Sequence, residues 1–143
     1  YNRLMSVNLS APFSIVRSII PNMKKQNYGR IVNIASIWSE ISKSGRSLYT
    51  TSKTGLVGFT RSMAVEYASS NILVNAVSPG FTLTDLTKQS LSDDEKKLLS
   101  SQVPIGRFAE PNEIAKIVLF LCSDLNTYIT GQNITIDGGF TLV

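Results

Sequence analysis

Apolar residues recur at helical spacing along the first part of the chain. The repeat consists of Leu4, Met5, Val7, Ala11, Ile15, Val16, Ile19, Ile20 and Met23. Side chains three or four residues apart share one face of a helix, so the repeat predicts an amphipathic helix that ends between Asn22 and Gly29. The same spacing predicts a second helix over Leu48–Ala68.

Three short apolar runs have the composition of buried β-strands. They are Ile31–Ser36, Ile72–Val77 and Asn133–Asp137. Pro79 and Gly80 follow the second run and are typical of a chain reversal. Short strands without polar alternation are expected in a parallel sheet that is covered on both faces.

Two smaller helices are expected between the second and third strands. Ser92 followed by Glu95 has the pattern of a capping box, and a second helix is predicted over Pro111–Leu121. Helices that separate successive strands imply parallel crossovers. The predicted fold is therefore α/β: a doubly wound, Rossmann-like parallel sheet in a single domain over residues 1–143.

Composition excludes several kinds of chemistry. The 143 residues include no histidine and a single cysteine, Cys122, so His-based catalysis, a zinc or other metal site and internal disulfides are not expected. The net charge of +4 comes from basic residues scattered among apolar ones, which predicts no nucleic-acid partner. No apolar run approaches the ~18 residues of a membrane span, so we expect a cytoplasmic protein without membrane contact. Cys122 is expected to be a small buried residue.

Three side chains suggest acid/base chemistry. Tyr49 and Lys53 stand one turn apart at the start of the second long helix and therefore share a face. A cation next to a phenol favours its ionised form and makes it more useful in proton transfer at neutral pH. Ser36 ends a predicted strand at its carboxyl end, where open α/β sheets bind ligands. A site that holds a carbonyl group near these residues is predicted.

Five blocks of sequence follow one another along the chain. They are IVNIAS at 31–36, YTTSK at 49–53, NAVSPGFTLTD at 75–85, PIGRFAEPNEIA at 104–115 and ITGQNITIDGG at 129–139. In this order and spacing they resemble the short-chain dehydrogenase/reductase family over essentially the whole chain, and among its members the 3-oxoacyl-acyl carrier protein reductase group. The resemblance implies an oxidoreductase that uses NAD or NADP to transfer a hydride between nicotinamide and a carbonyl or secondary alcohol.

The resemblance also implies roles for individual residues. Tyr49 would be the general acid/base, Lys53 would hold the nicotinamide ribose, and Ser36 would hydrogen-bond the substrate oxygen. Asn8 would complete the catalytic set through its backbone carbonyl, which positions a water behind the lysine. Pro12 supports this role, because it has no N–H to bond to that carbonyl within the helix.

Further residues are assigned by the same resemblance. Besides Tyr49 and Lys53, the residues expected to contact the cofactor are Pro79, Gly80, Thr82 and Thr84. Trp38 is expected to wall the substrate pocket. The substrate would be a small carbonyl or alcohol, free or linked to a carrier, and residues 85–103 would cover it. The long helices imply a homodimer or homotetramer.

The resemblance has one gap. The glycines lie at 29, 45, 55, 58, 80, 106, 131, 138 and 139, and none of these spacings gives the turn that cradles a dinucleotide phosphate. We therefore expect a C-terminal portion that lacks the first mononucleotide-binding half. Two alternatives stay open: a catalytically silent module that acts in oligomerisation, and a hydrolase that uses Ser36 and Lys53.

Overall fold

A three-stranded parallel sheet forms the centre of the computed structural model, which describes residues 1–143. The strands are β1 (Gly29–Ile34), β2 (Ile72–Pro79) and β3 (Asn133–Ile136), in the spatial order β1-β2-β3. Gly29 pairs with Ile72 and Ala76 pairs with Asn133. All pairs are parallel, so the carboxyl ends of the strands lie at the same end of the sheet.

Six α-helices surround these strands. They are α1 (Asn2–Met5), α2 (Ala11–Gln26), α3 (Ser47–Tyr67), α4 (Asp85–Ser90), α5 (Asp93–Ser101) and α6 (Pro111–Cys122). A π-helical segment, Ser6–Ser10, joins α1 to α2, so the chain is helical without a break from residue 2 to residue 26. Short 3-10 turns follow β1, α3 and β3.

The two faces of the sheet are covered by different helices. On one face, Val16 of α2 and Ala64 of α3 pack with Ile31 and Val74. On the other face, α6 packs Ile114 and Leu121 against Val77 and the third strand. This arrangement confirms the predicted doubly wound α/β architecture, with buried strands because both faces are covered.

Several predicted boundaries differ from the structure. The first strand is Gly29–Ile34 rather than Ile31–Ser36, because the chain turns into a 3-10 helix immediately after Ser36. Helix α4 was not expected; it begins because the Thr84 hydroxyl accepts a hydrogen bond from the Thr87 amide. The capping box predicted at Ser92 is present and starts α5.

The prediction that Cys122 is buried is wrong. Leu121 faces the sheet and is 1% exposed, and the next residue of a helix points about 100° away from it. Cys122 therefore lies on the outer side of α6, where it is exposed.

The expectation that no segment could span a membrane is wrong as far as length and composition go. The 25-residue helix Asn2–Gln26 is long enough and apolar enough to cross a membrane, because the π segment joins two shorter helices into one continuous helix. A core helix of a water-soluble protein passes the same test, and Val16 and Ile20 of this helix pack on the sheet. The absence of membrane contact and the cytoplasmic location stay predictions.

Candidate active site

The carboxyl ends of β1 and β2 open onto a cleft of about 470 Å³. Ser36, Trp38 and Tyr49 line it on one side, and Gly80 and Thr82 line it on the other. The structure therefore brings together residues that the sequence placed in a site from separate segments. It also places Trp38 on the cleft wall, and contact of Trp38 with a substrate stays a prediction.

Ser36 is held with its hydroxyl at the cleft. The residue has an extended backbone and begins the 3-10 turn, and its Oγ accepts a hydrogen bond from the Trp38 amide at 3.3 Å. An acceptor role for Oγ leaves the hydroxyl proton available to a ligand. Ser39 Oγ donates to the Ser36 carbonyl at 2.7 Å and fixes the turn.

Tyr49 lies in the first turn of α3, with its ring against the cleft. Its backbone carbonyl accepts a hydrogen bond from Ser52 Oγ at 2.7 Å, whereas its phenol bonds to no group of this chain. The Lys53 ammonium lies 5.8 Å from the centre of the Tyr49 ring. A free phenol beside a cation can exchange a proton with a ligand oxygen.

Lys53 is anchored by a backbone group. Its Nζ donates to the Ile34 carbonyl at 2.8 Å, at the end of β1. One of the three ammonium hydrogens is used in this way, which leaves two for other acceptors. Burial lowers the pKa of Lys53, because a partly desolvated ammonium is less stable than one in water.

Asn8 lies in the π segment and is joined to α3 by its side chain. Nδ2 donates to Ser52 Oγ at 3.1 Å, and Ser52 in turn bonds to the Tyr49 carbonyl. The Ala11 amide bonds back to the Ser6 carbonyl in the π register, and Pro12 has no amide hydrogen to offer Asn8. The structure thus interrupts the regular α-helix at Asn8, and the role of its carbonyl stays a prediction.

The segment after β2 carries the residues expected at the nicotinamide. Pro79, Thr82 and Thr84 line a second, larger cleft of about 900 Å³ together with Ile34 and one side of α6. Thr82 lines both clefts and therefore lies where they meet. The Thr84 hydroxyl caps α4, so it contributes to this segment first as a structural group.

Gly80 is required here for a reason that the sequence did not indicate. A Cβ at this position would lie 2.8 Å from both Cα and Cβ of Asp137. The Gly80 amide also donates to the Ile136 carbonyl at 2.9 Å. Glycine is therefore required because the chain that leaves β3 approaches this position closely. The resemblance had assigned Gly80 only to a contact with the cofactor.

An aromatic cluster packs against the segment that follows β2. Phe81 stacks on Phe108 with ring centres 5.3 Å apart and meets the edge of Phe140 at 5.0 Å. The Ala109 amide donates to the Phe81 carbonyl, and Leu83 donates to the Ala109 carbonyl, both at 2.9 Å. These contacts join the block at 104–115 to the block at 75–85 in the fold.

Ser36 and Lys53 are not paired. Ser36 Oγ is bonded to the Trp38 amide, whereas Lys53 Nζ is bonded to the Ile34 carbonyl. A serine nucleophile needs a base within hydrogen-bond reach. The geometry therefore does not favour the hydrolase alternative.

Comparison with known proteins decides the family. The profile of a family described as enoyl-(acyl carrier protein) reductase matches residues 1–141. The chain belongs to the short-chain dehydrogenase/reductase family. Its relatives include the 3-oxoacyl-[acyl-carrier-protein] reductase FabG of Aquifex aeolicus, 46% identical over 97% of this chain and 56% of that protein. FabG of Escherichia coli K12 is 41% identical over the whole chain and 58% of its own length.

Solved structures of dehydrogenases share the short-chain dehydrogenase/reductase fold described above. A gluconate 5-dehydrogenase from Burkholderia cenocepacia, in complex with NADP and tartrate, superposes with a TM-score of 0.91 at 27% identity, over 97% of this chain and 55% of that one. A 4-hydroxyisoleucine dehydrogenase mutant, complexed with NADH and succinate, gives 0.91 at 35% identity, over 97% and 58%. The chain thus spans a little over half the length of these relatives.

Proposed function

We propose that the protein carrying this chain is an NAD(P)-dependent oxidoreductase that interconverts a carbonyl compound and a secondary alcohol. The observation that carries the proposal is the cleft in which the free Tyr49 phenol and the Ser36 hydroxyl meet, with Lys53 beside them. The membership in the short-chain dehydrogenase/reductase family supports it. A 3-oxoacyl thioester, free or carrier-linked, is the first substrate class to test, because the FabG relatives are named for it.

The residues around the larger cleft fit the nicotinamide end of NAD or NADP. Thr82 offers a hydroxyl where the two clefts join. Lys53 lies outside both clefts, in a neighbouring one that also contains Asn8 and Ile34, and it keeps two donors free for ribose hydroxyls. Ile34 and Pro79 add apolar surface against which a flat ring can pack. NADP and NADH are present in the two dehydrogenase structures described above, which supports this cofactor class.

The proposed reaction needs few groups from the protein. The nicotinamide, when bound, supplies or accepts the hydride at the carbonyl carbon. Ser36 donates a hydrogen bond to the carbonyl oxygen and holds it in place, and Tyr49 gives that oxygen a proton as the alcohol forms. Lys53 would orient the ribose, and the Asn8 carbonyl would position a water through which the phenol regains its proton.

Replacement of Tyr49 by phenylalanine tests the proposal. In the full-length protein, we expect Tyr49→Phe to lower kcat about 10²- to 10⁴-fold, because the proton donor is lost. The affinity for NADPH or NADH should change by less than about threefold, since the ring and Lys53 remain. Tyr128→Phe is the matched control, because Tyr128 is 94% exposed. Turnover by Tyr49→Phe at the unaltered rate would contradict the assigned role.

A second candidate is a catalytically silent module that acts in oligomerisation. It is favoured by apolar side chains that face solvent on the long helices, among them Ile15 at 60% and Val65 at 85% exposure. Both candidates predict a homodimer or homotetramer, measured by light scattering. They differ in hydride transfer: a protein that binds neither NADH nor NADPH and oxidises neither of them with 3-oxoacyl thioesters or other carbonyl compounds supports the silent module.

A further inference from the structure

Two basic side chains lie at the mouth of the smaller cleft, on the loop between Ser36 and Tyr49. Lys43 and Arg46 both line this cleft, and its lining contains no acidic residue. Neither side chain takes part in an ion pair, since those of the chain are Lys88 with Asp85, Lys96 with Asp93 and Arg107 with Glu113. The acidic residue of the same loop, Glu40, accepts a hydrogen bond from Asn133 instead.

A tight turn and an aromatic ring hold the two cations together. The Arg46 amide donates to the Lys43 carbonyl at 3.2 Å, and Gly45 between them has a φ of +79°, which favours glycine. Lys43 Nζ lies 5.5 Å and the Arg46 guanidinium 5.7 Å from the centre of the Trp38 ring. Both residues are exposed, and cation–π contacts of this length favour positions of their charges beside the cleft wall.

The loop is fastened to α3 by two hydrogen bonds from the residues that precede this turn. Ser42 and Thr50 share a hydrogen bond of 3.2 Å between their hydroxyls, and Thr54 donates to the Ser39 carbonyl at 3.2 Å. Two like charges on one ring repel each other, and no carboxylate of the cleft offsets this repulsion. An anion at the cleft would relieve it and would meet a guanidinium that can donate two parallel hydrogen bonds.

We propose that the substrate carries an anionic group, a carboxylate or a phosphate, which Lys43 and Arg46 bind while Ser36 and Tyr49 hold the carbonyl. The inference rests on the proposed function for the reacting end of the molecule. The anion-binding end rests on the basic turn alone. The two parts can therefore be tested apart.

Matched substrate pairs test the catalytic consequence. Levulinate is compared with methyl levulinate for the carboxylate, and acetoacetyl-CoA with the acetoacetyl thioester of N-acetylcysteamine for the phosphate. We expect the full-length protein to prefer at least one anionic member by about tenfold or more in kcat/KM, because a hydrogen-bonded ion pair is lost in the neutral partner. Equal or better turnover of both neutral members overturns the inference and leaves the reductase function standing.

Variants locate the effect on the turn. Lys43→Met combined with Arg46→Gln should abolish the preference, lower kcat/KM for the anionic member about tenfold and leave the neutral member within about twofold. Lys25→Met combined with Arg61→Gln changes the net charge equally on exposed parts of α2 and α3 and should retain the preference. An equal loss for both members of a pair would mean that the turn only supports the fold.

Binding can be followed without turnover, because Trp38 is the only tryptophan in the chain. Titration with succinate or inorganic phosphate should change its fluorescence saturably, and succinamide should not. Trp38→Phe identifies the signal in the full-length protein, Tyr49→Phe should keep it, and the Lys43/Arg46 double variant should lose it. A titration without saturation, or one unchanged in the double variant, overturns the inference whatever the enzyme assay shows.

Discussion

Replacement of Gly80 by alanine should damage both the fold and the nicotinamide side of the site. The new Cβ would meet Cα and Cβ of Asp137 at 2.8 Å, closer than real Cβ contacts. Neither atom belongs to a flexible side-chain end, so the backbone itself has to move. Asp137 resists the movement, because its carboxylate accepts hydrogen bonds from the amides of Gly139 at 2.9 Å and Thr141 at 2.8 Å.

The magnitude follows from the size of the overlap. An extra methyl group in a closely packed position costs about 1–3 kcal/mol, and the displaced Asp137 turn places the estimate in the upper half of this range. At about 2–4 °C per kcal/mol, the midpoint of thermal unfolding should fall by about 4–12 °C. Burial alone would raise the pKa of Asp137, but hydrogen bonds from Thr141 and Gly139 hold it below its usual value. The Asp137 carboxylate therefore keeps its charge and its hydrogen bonds, which oppose the movement of the turn.

Thermal unfolding and cofactor affinity together test this reasoning. Gly80→Ala in the full-length protein should show the lower midpoint and a weaker affinity for NAD(P)H, because Gly80 leads directly into Thr82 at the junction of the clefts. Gly58→Ala is the matched control: nothing lies within 4 Å of its added Cβ, and alanine is favoured in a helix by about 0.5–1 kcal/mol. An unchanged midpoint and affinity in Gly80→Ala would refute the argument.

Two further variants address stability. The hydrogen bonds from Arg107 lower the pKa of Glu113 from 4.5 to about 2, so the carboxylate stabilises the fold above pH 4.5 and this contribution disappears as the pH falls through about 2. Glu113→Gln should therefore lower the unfolding midpoint at neutral pH and match the parent near pH 2; a deficit independent of pH would contradict this. Thr60→Val removes the buried acceptor of Asn33 Nδ2, 2.9 Å away, and should cost about 1–3 kcal/mol in chemical unfolding, against less than about 0.5 for exposed Thr51→Val. Equal losses in the two threonine variants would show that the buried bond contributes nothing.

Periodicity predicted the long helices and the strands because burial decides both. Each carries enough apolar residues to identify a covered face, as α3 does with Leu56 and Val57. Helix α4 was missed because its six residues have no such face and its start depends on one hydroxyl, that of Thr84. The end of β1 was placed two residues late because Ser36 is extended but no longer pairs in the sheet.

The site residues were predictable as types, but their partners were not. Tyr49 and Lys53 are recognisable from their spacing on a helix, and Ser36 from its place after a strand. The acceptor for Lys53 is a backbone carbonyl, which looks the same at every residue, so nothing in the sequence indicates Ile34. Lys43 and Arg46 were passed over because scattered basic residues usually face solvent, although Gly45 between them was a signal of a turn.

Between the first long helix and α3, polar contacts add to apolar packing such as that of Phe13 on Phe59. Asn8 reaches Ser52 from the π segment, and Ser52 is bonded to Tyr49. A regular α-helix would carry Pro12 opposite the Asn8 carbonyl without a hydrogen to give it, so the π register accommodates a mismatch already present in the sequence. We therefore expect Ser52→Ala to lower kcat through the placement of Asn8 and also to lower the midpoint of thermal unfolding, because Ser52 is fully buried and Asn8 Nδ2 would lose its acceptor.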